Sequence, residues 1–380
     1  MLSAFHTTLF RPLRTRFRSH PELFGAPVFR HPAREILRLA AIHIPGARSS
    51  AQLHTMIDWV SRGFDRSVSR LINDADTVYG YEDSCLETLF AAKESGKKTV
   101  YELPTAFVAE AQALSQSELK SEPSLKPFLR SLDEPEYRIR RKIQEIQTAD
   151  QIVCASTFVA RSIRKHVPSA NSIEVIPYGA DCSASPKNWD TYNPSDRLKI
   201  LFLGQLSPHK GLHHLFGALE TLPKEECELT LAGEWSPGFS DWISARFRVS
   251  YTYRGKVPHV QIPSLCAEHH LLVFPAIQDG FGLVLLEALA SGIPVLASYN
   301  CGASDVVCDG DNGYLFHPLN PEGLRTGILR ALQERERLPD MGFRARTTAE
   351  GMTWARYRSQ VASLLCCASS FLPLQRGRSD

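Results

Sequence analysis

No CxxC pair, no run of 18 apolar residues and no large net charge occur in this 380-residue chain. Each absence removes a class of protein. The nine cysteines, at 85, 154, 182, 227, 266, 301, 308, 366 and 367, are odd in number and lack metal-site spacing. Neither a disulfide framework nor a zinc site is indicated, and reduced thiols in a cytoplasmic protein are expected. Without a long apolar run no spanning helix is expected; the C-terminal "VASLLCCASSFLPL" (361–374) is short and broken by serines. Any membrane contact would be peripheral, at the inner surface. A formal charge of +2, from 43 basic and 41 acidic side chains, gives no field that argues for nucleic acid.

Acids and glycine are also missing from the chain's opening. The first acid is Glu22 and the first glycine Gly25, while Arg11, Arg14, Arg16, Arg18, Arg30, Arg34 and Arg38 crowd the first 40 residues. A solvated basic segment and a surface facing phosphate or anionic lipid are both compatible with this. Pro12, Pro21, Pro27 and Pro32 interrupt the long amphipathic helix that a transit peptide needs.

What is present is a βαβ rhythm. "DTVYG" (76–80), "KTVYELP" (98–104), "DQIVCAS" (150–156) and "IEVIPYG" (173–179) read as buried strands, with helices over 82–96 and 134–149 between them. "GADCSASPKNWDTYNPSD" (179–196) has no periodicity and reads as a linker. The rhythm restarts with "KILFLG", "CELTLAG", "HLLVFPA" and "PVLAS", with helices expected over 210–220, 282–291 and 321–335. The length exceeds one ordinary core, so two doubly wound α/β domains in tandem are expected. Their boundaries are read as 1–178, a linker at 179–198, 199–352, and a C-terminal helix with tail at 353–380. Ligands of such sheets lie beyond the strands' carboxyl ends, which places the site in the interdomain cleft.

The densest motif is "AIQDGFGLVLLEALASGIPVLAS" (276–298): strand, glycine turn, helix, glycine, strand. Free N–H groups at that helix start suit a phosphate. With Asp279 at the start and Glu287 two turns on, the carboxylates would stand roughly 12 Å apart along the axis. That is too far for the paired acids of a glycosidase, and suits the two ends of an extended ligand. Lys210, after the strand 199–204 and at a helix start, is placed as a point charge for phosphate.

"DGFGLVLLEALASGIPVLAS" resembles the acid-x7-acid motif of retaining glycosyltransferases of family 4. "LFLGQLSPHKGLHHLFGAL" (201–219), "IPYGAD" (176–181), "DNGYLFHP" (311–318), "TWARYRSQVASLL" (353–365) and "EIQTADQIVCASTFVARSI" (145–163) are similar to its other segments, in order. The resemblance covers roughly 140–365. It implies the GT-B architecture of two Rossmann-like domains, and transfer of a sugar from a nucleoside-diphosphate sugar to a glycan, lipid-linked or small-molecule hydroxyl acceptor with retention. It implies roles as well. Lys210, Asp279 and Glu287 would be catalytic: Glu287 on the ribose, Asp279 on the donor sugar, Lys210 on the departing diphosphate. Gly204, Gln205, Gly280, Phe281, Gly282 and Leu283 would line the donor. No cofactor and no metal are implied, and cell-envelope polysaccharide synthesis is the implied setting.

Three departures qualify the expectation. Asp279 stands where the family usually has Glu, and Gln205 where it usually has Arg. The opening "MLSAFHTTLFRPLRTRFR" reads as sequence that normally follows a first strand and Gly-rich loop, so either the true start lies upstream or one strand is dispensed with. Two rival readings stay open, a nucleotide-sugar epimerase and a sugar-nucleotide-binding pseudoenzyme. Glu102 reads as a strand-end acid in a solvated loop ahead of a polar role near the sugar, and Arg138, Arg140, Arg141 and Lys142 as a solvated helix face ahead of one that meets the phosphates across the cleft. The neighbours His213–His214 and His269–His270 are expected to diverge, and so not to ligate a metal.

Overall fold

A computed structural model of the protein describes residues 5–7, 28–30, 50–318 and 320–366. Two short strands open the chain, β1 (Phe5–Thr7) and β2 (Val28–Arg30), and pair in parallel. Each is three residues long, too short for alternation to show in the sequence, and the two pair only with each other, outside the larger sheets. Apart from Arg30, the arginines of the basic opening lie outside the described residues, as does the end of the C-terminal apolar stretch.

The first large sheet holds β3 (Thr77–Tyr81), β4 (Lys98–Leu103), β5 (Gln151–Cys154) and β6 (Ser172–Val175), all parallel and in chain order. The second holds β7 (Leu198–Leu203), β8 (Cys227–Ala232), β9 (Tyr251–Tyr253), β10 (Leu271–Phe274), β11 (Val295–Ser298) and β12 (Gly313–Phe316). This is the α/β fold of two parallel-sheet domains that the alternation predicts. Strands β9 and β12 escape sequence reading for different reasons. "YTY" is exposed along its length, an edge strand without an apolar face, and "GYLF" follows a turn whose glycine masks it.

Strand order decides where a ligand can lie. The second sheet runs β12-β11-β10-β7-β8-β9. The chain steps outward from β7 to β9, then returns to the other side of β7 with β10. Connections leave β7 and β10 in opposite directions, opening a crevice at their carboxyl ends. The sheet carrying that crevice is firmly packed. Ile200 and Phe202 point into one apolar cluster, and Leu201 and Leu203 into the other, on the two-residue period of a doubly covered strand. Each such side chain contributes about 1.5–3 kcal/mol by burial.

The halves are joined by two crossings held side by side. The Ala180 N–H donates to the Met352 carbonyl at 2.7 Å, and Gly179 leaves room for the Trp354 backbone, which a Cβ would meet at 2.2 Å. The helix Trp354–Cys366 then lies on the first sheet, with Tyr357, Val361 and Leu364 packed against Val100, Val153 and Ile176. The irregular segment 179–196 is docked on the second domain: Trp189 Nε1–H donates to the Gly292 carbonyl at 3.0 Å, and Lys187 N–H to that of Ser291 at 2.8 Å. No described helix is long and apolar enough to cross a membrane.

The basic helix Glu136–Thr148 is not the solvated face expected of it. Arg138 is buried between Asp58, Asp83 and Glu134 at 3.0–3.2 Å, Lys142 is buried against Glu82 at 2.5 Å, and Arg141 reaches Asp65 at 2.5 Å; only Arg140 is exposed. Acids from other elements make burial tolerable, and those partners cannot be read from the helix itself. Glu145, on the same helix, is fully buried and accepts the N–H groups of Asp83 and Cys85 at 3.1 and 3.4 Å. Burial pushes its carboxyl up to about 7, against the opposing pull of Arg141. The folded protein thus holds this proton more tightly than the unfolded chain, and the group's contribution to stability falls as pH rises from about 4.5 to 7. Glu145→Gln should flatten that part of the curve when unfolding by urea is followed across pH. An unchanged slope would show that Glu145 ionises freely where it lies.

Candidate active site

Two loops leave the crevice between β7 and β10. From β7 the chain runs through Gly204 and Gln205 to the single turn Pro208–Lys210, then Gly211 and the helix Leu212–Glu220. From β10 it runs through Pro275 and Asp279 to the helix Leu283–Ala290. Gly211 has φ +69°, and a Cβ there would lie 1.8 Å from the Pro275 carbonyl oxygen. No other residue type fits this crossing. The Ile277 N–H adds a bond of 3.0 Å to the His209 carbonyl. So laced, the loops bring Lys210 Nζ into an ion pair with Asp279 Oδ2, both side chains about one-fifth exposed at the mouth of the crevice.

Asp279 is held from both sides. Its N–H donates to the Asn300 carbonyl at 2.9 Å, and its Oδ1 accepts the Phe281 N–H at 3.2 Å. The helix begins only at Leu283, so Asp279 and Glu287 do not stand two turns apart on one axis as the motif suggests. Asp279 lies in the turn, and Glu287 little more than one turn into the helix. The first N–H groups of that helix lack intrahelical acceptors, and Leu283, beside them, is exposed. Phe281 offers only backbone to a ligand, because its ring is buried edge-on against Tyr178 at 5.4 Å. Glu287 faces the exposed His259 at 3.1 Å; burial raises its pKa and the imidazole pulls it down.

The first domain closes over this turn. A Cβ on Gly280 would lie 1.8 Å from the Pro104 carbonyl oxygen, and Ser156 Oγ donates to the Gly280 carbonyl at 2.5 Å. Beside Pro104, Thr105 donates to Glu82 at 3.2 Å, and Glu82 pairs with the buried Lys142. Sequence reading missed Glu82 here and so the partner of Lys142; the signal was the acid pair "ED" directly after the strand "TVYGY". Glu102 is not in a solvated loop. It is buried and accepts the Tyr79 hydroxyl at 2.7 Å and that of Tyr357 at 3.5 Å, with its pKa raised by burial.

Gln205 at the β7 loop donates to Ser236 at 3.4 Å. Arg138, Arg141 and Lys142 are committed to acids of the first domain. His269 and His270 do part, to the Leu265 carbonyl and the Lys199 N–H. His213 and His214 do not diverge: both Nε2 atoms lie 2.9 Å from Glu118 Oε2, reached across the domain boundary. Gly280→Ala must push its loop off Pro104. Hydrogen exchange should then quicken at the amides of 105–107 and 279–281 while the sheet amides stay protected, whereas unchanged exchange would mean that the contact is slack.

Residues 186–348 match the family described as Glycosyl transferases group 1. The O-antigen chain mannosyltransferase B of Escherichia coli is 28% identical over 222 residues, covering 55% of this chain and 51% of that one. A D-inositol 3-phosphate glycosyltransferase of Paenarthrobacter aurescens (strain TC1) is 27% identical over 264 residues, 62% of this chain and 64% of that one. The chain spans about half the length of the first of these relatives. Among solved structures, the sucrose-phosphate synthase of Thermosynechococcus elongatus aligns over 82% of this chain and 80% of its own, with TM-score 0.63 and 19% identity. Anabaena HepE in complex with UDP and glucose aligns over 91% and 87%, with TM-score 0.59 and 18% identity. These likenesses carry the fold, and the sequence match is local: the stretch from Pro186 to Thr348, which bears Lys210, Asp279 and Glu287, is similar to the glycosyl transferases group 1 family.

Proposed function

We propose that this protein is a metal-independent retaining glycosyltransferase of family 4 that moves a hexose-like group from a nucleoside-diphosphate sugar to a hydroxyl acceptor. The observation that carries the reading is the meeting of Lys210 and Asp279 at the switch point of the second sheet, beside an open helix N-terminus. A diphosphate there meets one ammonium, which has donors to spare beyond Asp279, and the N–H groups at Gly280 to Leu283. The sugar extends toward Asp279 and the first domain. The nucleoside extends toward Glu287, whose burial in the helix's second turn suits a ribose hydroxyl pair. Lys210 stabilises the charge that grows on the leaving diphosphate, and with Gln205 neutral it does so without a neighbouring cation on that loop. Gly204 lets the β7 loop pass close to the donor.

Two comparisons support this reading: HepE is seen with UDP and glucose, and the mannosyltransferase acts on O-antigen chains by its name. A glycan or lipid-linked acceptor made in the cytoplasm, at or near the membrane surface, follows from that likeness. The acceptor meets the first-domain side of the cleft, near Glu82 and Thr105.

Calorimetry with UDP, GDP and their sugar conjugates tests the division of labour. Glu287→Ala should weaken binding of the free nucleotide about 10-fold or more, the loss expected when a hydrogen-bonded charge is removed. Asp279→Ala should spare the nucleotide and abolish the extra affinity of the sugar conjugate. Lys210→Ala should lower transfer about 100- to 1,000-fold. Equal losses of nucleotide binding in the two acid variants would overturn the assignment.

A further inference from the structure

Away from the donor crevice, among the described residues, one cluster of ligand-type side chains has no part in sugar transfer as proposed. Glu118 lies in the last turn of the first-domain helix Val108–Ser121, and His213 and His214 lie in the first turn of the second-domain helix Leu212–Glu220. One oxygen and two imidazole nitrogens, one per residue, lie within 4.8 Å of one another. Neighbouring residues on a helix normally point about 100° apart. Here the rings approach to 4.1 Å between centroids, and both turn Nε2 toward the same carboxylate oxygen. Glu118 and His213 are buried and His214 is partly so. The His213 Nδ1 is buried without a partner, so the ring's one polar engagement is at Nε2.

We propose that Glu118, His213 and His214 bind a divalent transition-metal ion, zinc by the chemistry of the donors, and so tie the two domains together. Two imidazoles and a carboxylate make a donor set typical of zinc, with one position left for water. Tetrahedral geometry with metal–ligand bonds near 2.0–2.1 Å places ligand atoms about 3.3 Å apart. The 2.9 Å contacts to Glu118 open by about 0.4 Å, and the two imidazole nitrogens, which lie within 4.8 Å of each other, settle at the same spacing. The ion replaces two N–H···O bonds with three coordinate bonds, and each neutral imidazole keeps its one proton by carrying it on Nδ1 in place of Nε2.

The position gives the site a consequence. His213 and His214 follow Lys210 by three and four residues, so an ion here fixes the Lys210 loop to the first domain without touching the donor. The surroundings are already pinned: Trp242 Nε1–H and Arg246 both donate to Ser124, at 2.9 and 2.8 Å, just beyond Glu118. The site is thus a rigid clamp at the domain boundary.

The test uses the full, untagged chain stripped with chelator and titrated with Co²⁺, then Zn²⁺. One Co²⁺ per chain should bind with the visible absorption of a tetrahedral ion, and Zn²⁺ should displace it. Ligand loss should weaken binding by about 100-fold or more in His214→Ala and in Glu118→Gln, the second of which keeps an acceptor for both imidazoles and so preserves the fold. Zn²⁺ should slow hydrogen exchange in both Val108–Ser121 and Leu212–Glu220 of the parent chain only. Failure to bind one equivalent, or binding of equal strength in both variants, would overturn the proposal.

Discussion

Two carbonyl oxygens, those of Pro275 and Pro104, constrain everything around the crevice. Each points at a glycine with no room for a Cβ, Gly211 in one case and Gly280 in the other. The first contact sets the two loops of the second sheet against each other, and the second sets their shared edge against the first domain. Lys210 and Asp279 meet as a consequence. Neither side chain needs to find the other, because the backbone has already delivered both to the mouth of the crevice between β7 and β10.

This ordering of causes bears on the chemistry. A cation that must stabilise a leaving diphosphate is most effective when it is in place before the charge develops. The glycine crossings supply that placement, and the packed sheet beneath them, with Phe202, Val273 and Leu296 fully buried, keeps the loops from drifting. Asp279 holds the ammonium in the meantime, so the cation is neither buried unpaired nor lost to solvent. The side-by-side crossings at Ala180 and Met352 join the halves at a second place, away from the contact of Gly280 with Pro104.

Much of this was legible in the chain because it is written in local pattern. The alternation of strands and helices, the break at 179–196, and the order strand, Gly-rich turn, helix around Asp279 all lie within short windows. What was not legible depends on residues far apart in sequence. The basic helix Glu136–Thr148 reads as solvated until Asp58, Asp65, Glu82 and Asp83 arrive from other elements to bury it. Glu102 reads as a loop acid until Tyr79 and Tyr357 enclose it. His213 and His214 diverge on a helical wheel, and only a carboxylate contributed 95 positions away turns them together. The expectation that Asp279 opens the helix failed for a local reason: Gly282 delays the helix, so the turn and the helix are separate pieces.

The claim on which the account rests is that a diphosphate lies between the β7 loop and the turn that follows Pro275. A crystal structure grown with UDP tests it most directly. The account predicts pyrophosphate density within hydrogen-bonding distance of Lys210 Nζ and the N–H groups of Gly280 to Leu283, with the ribose at Glu287. Nucleotide bound elsewhere on the second domain, with the Lys210–Asp279 pair closed and the helix start bare, would contradict it.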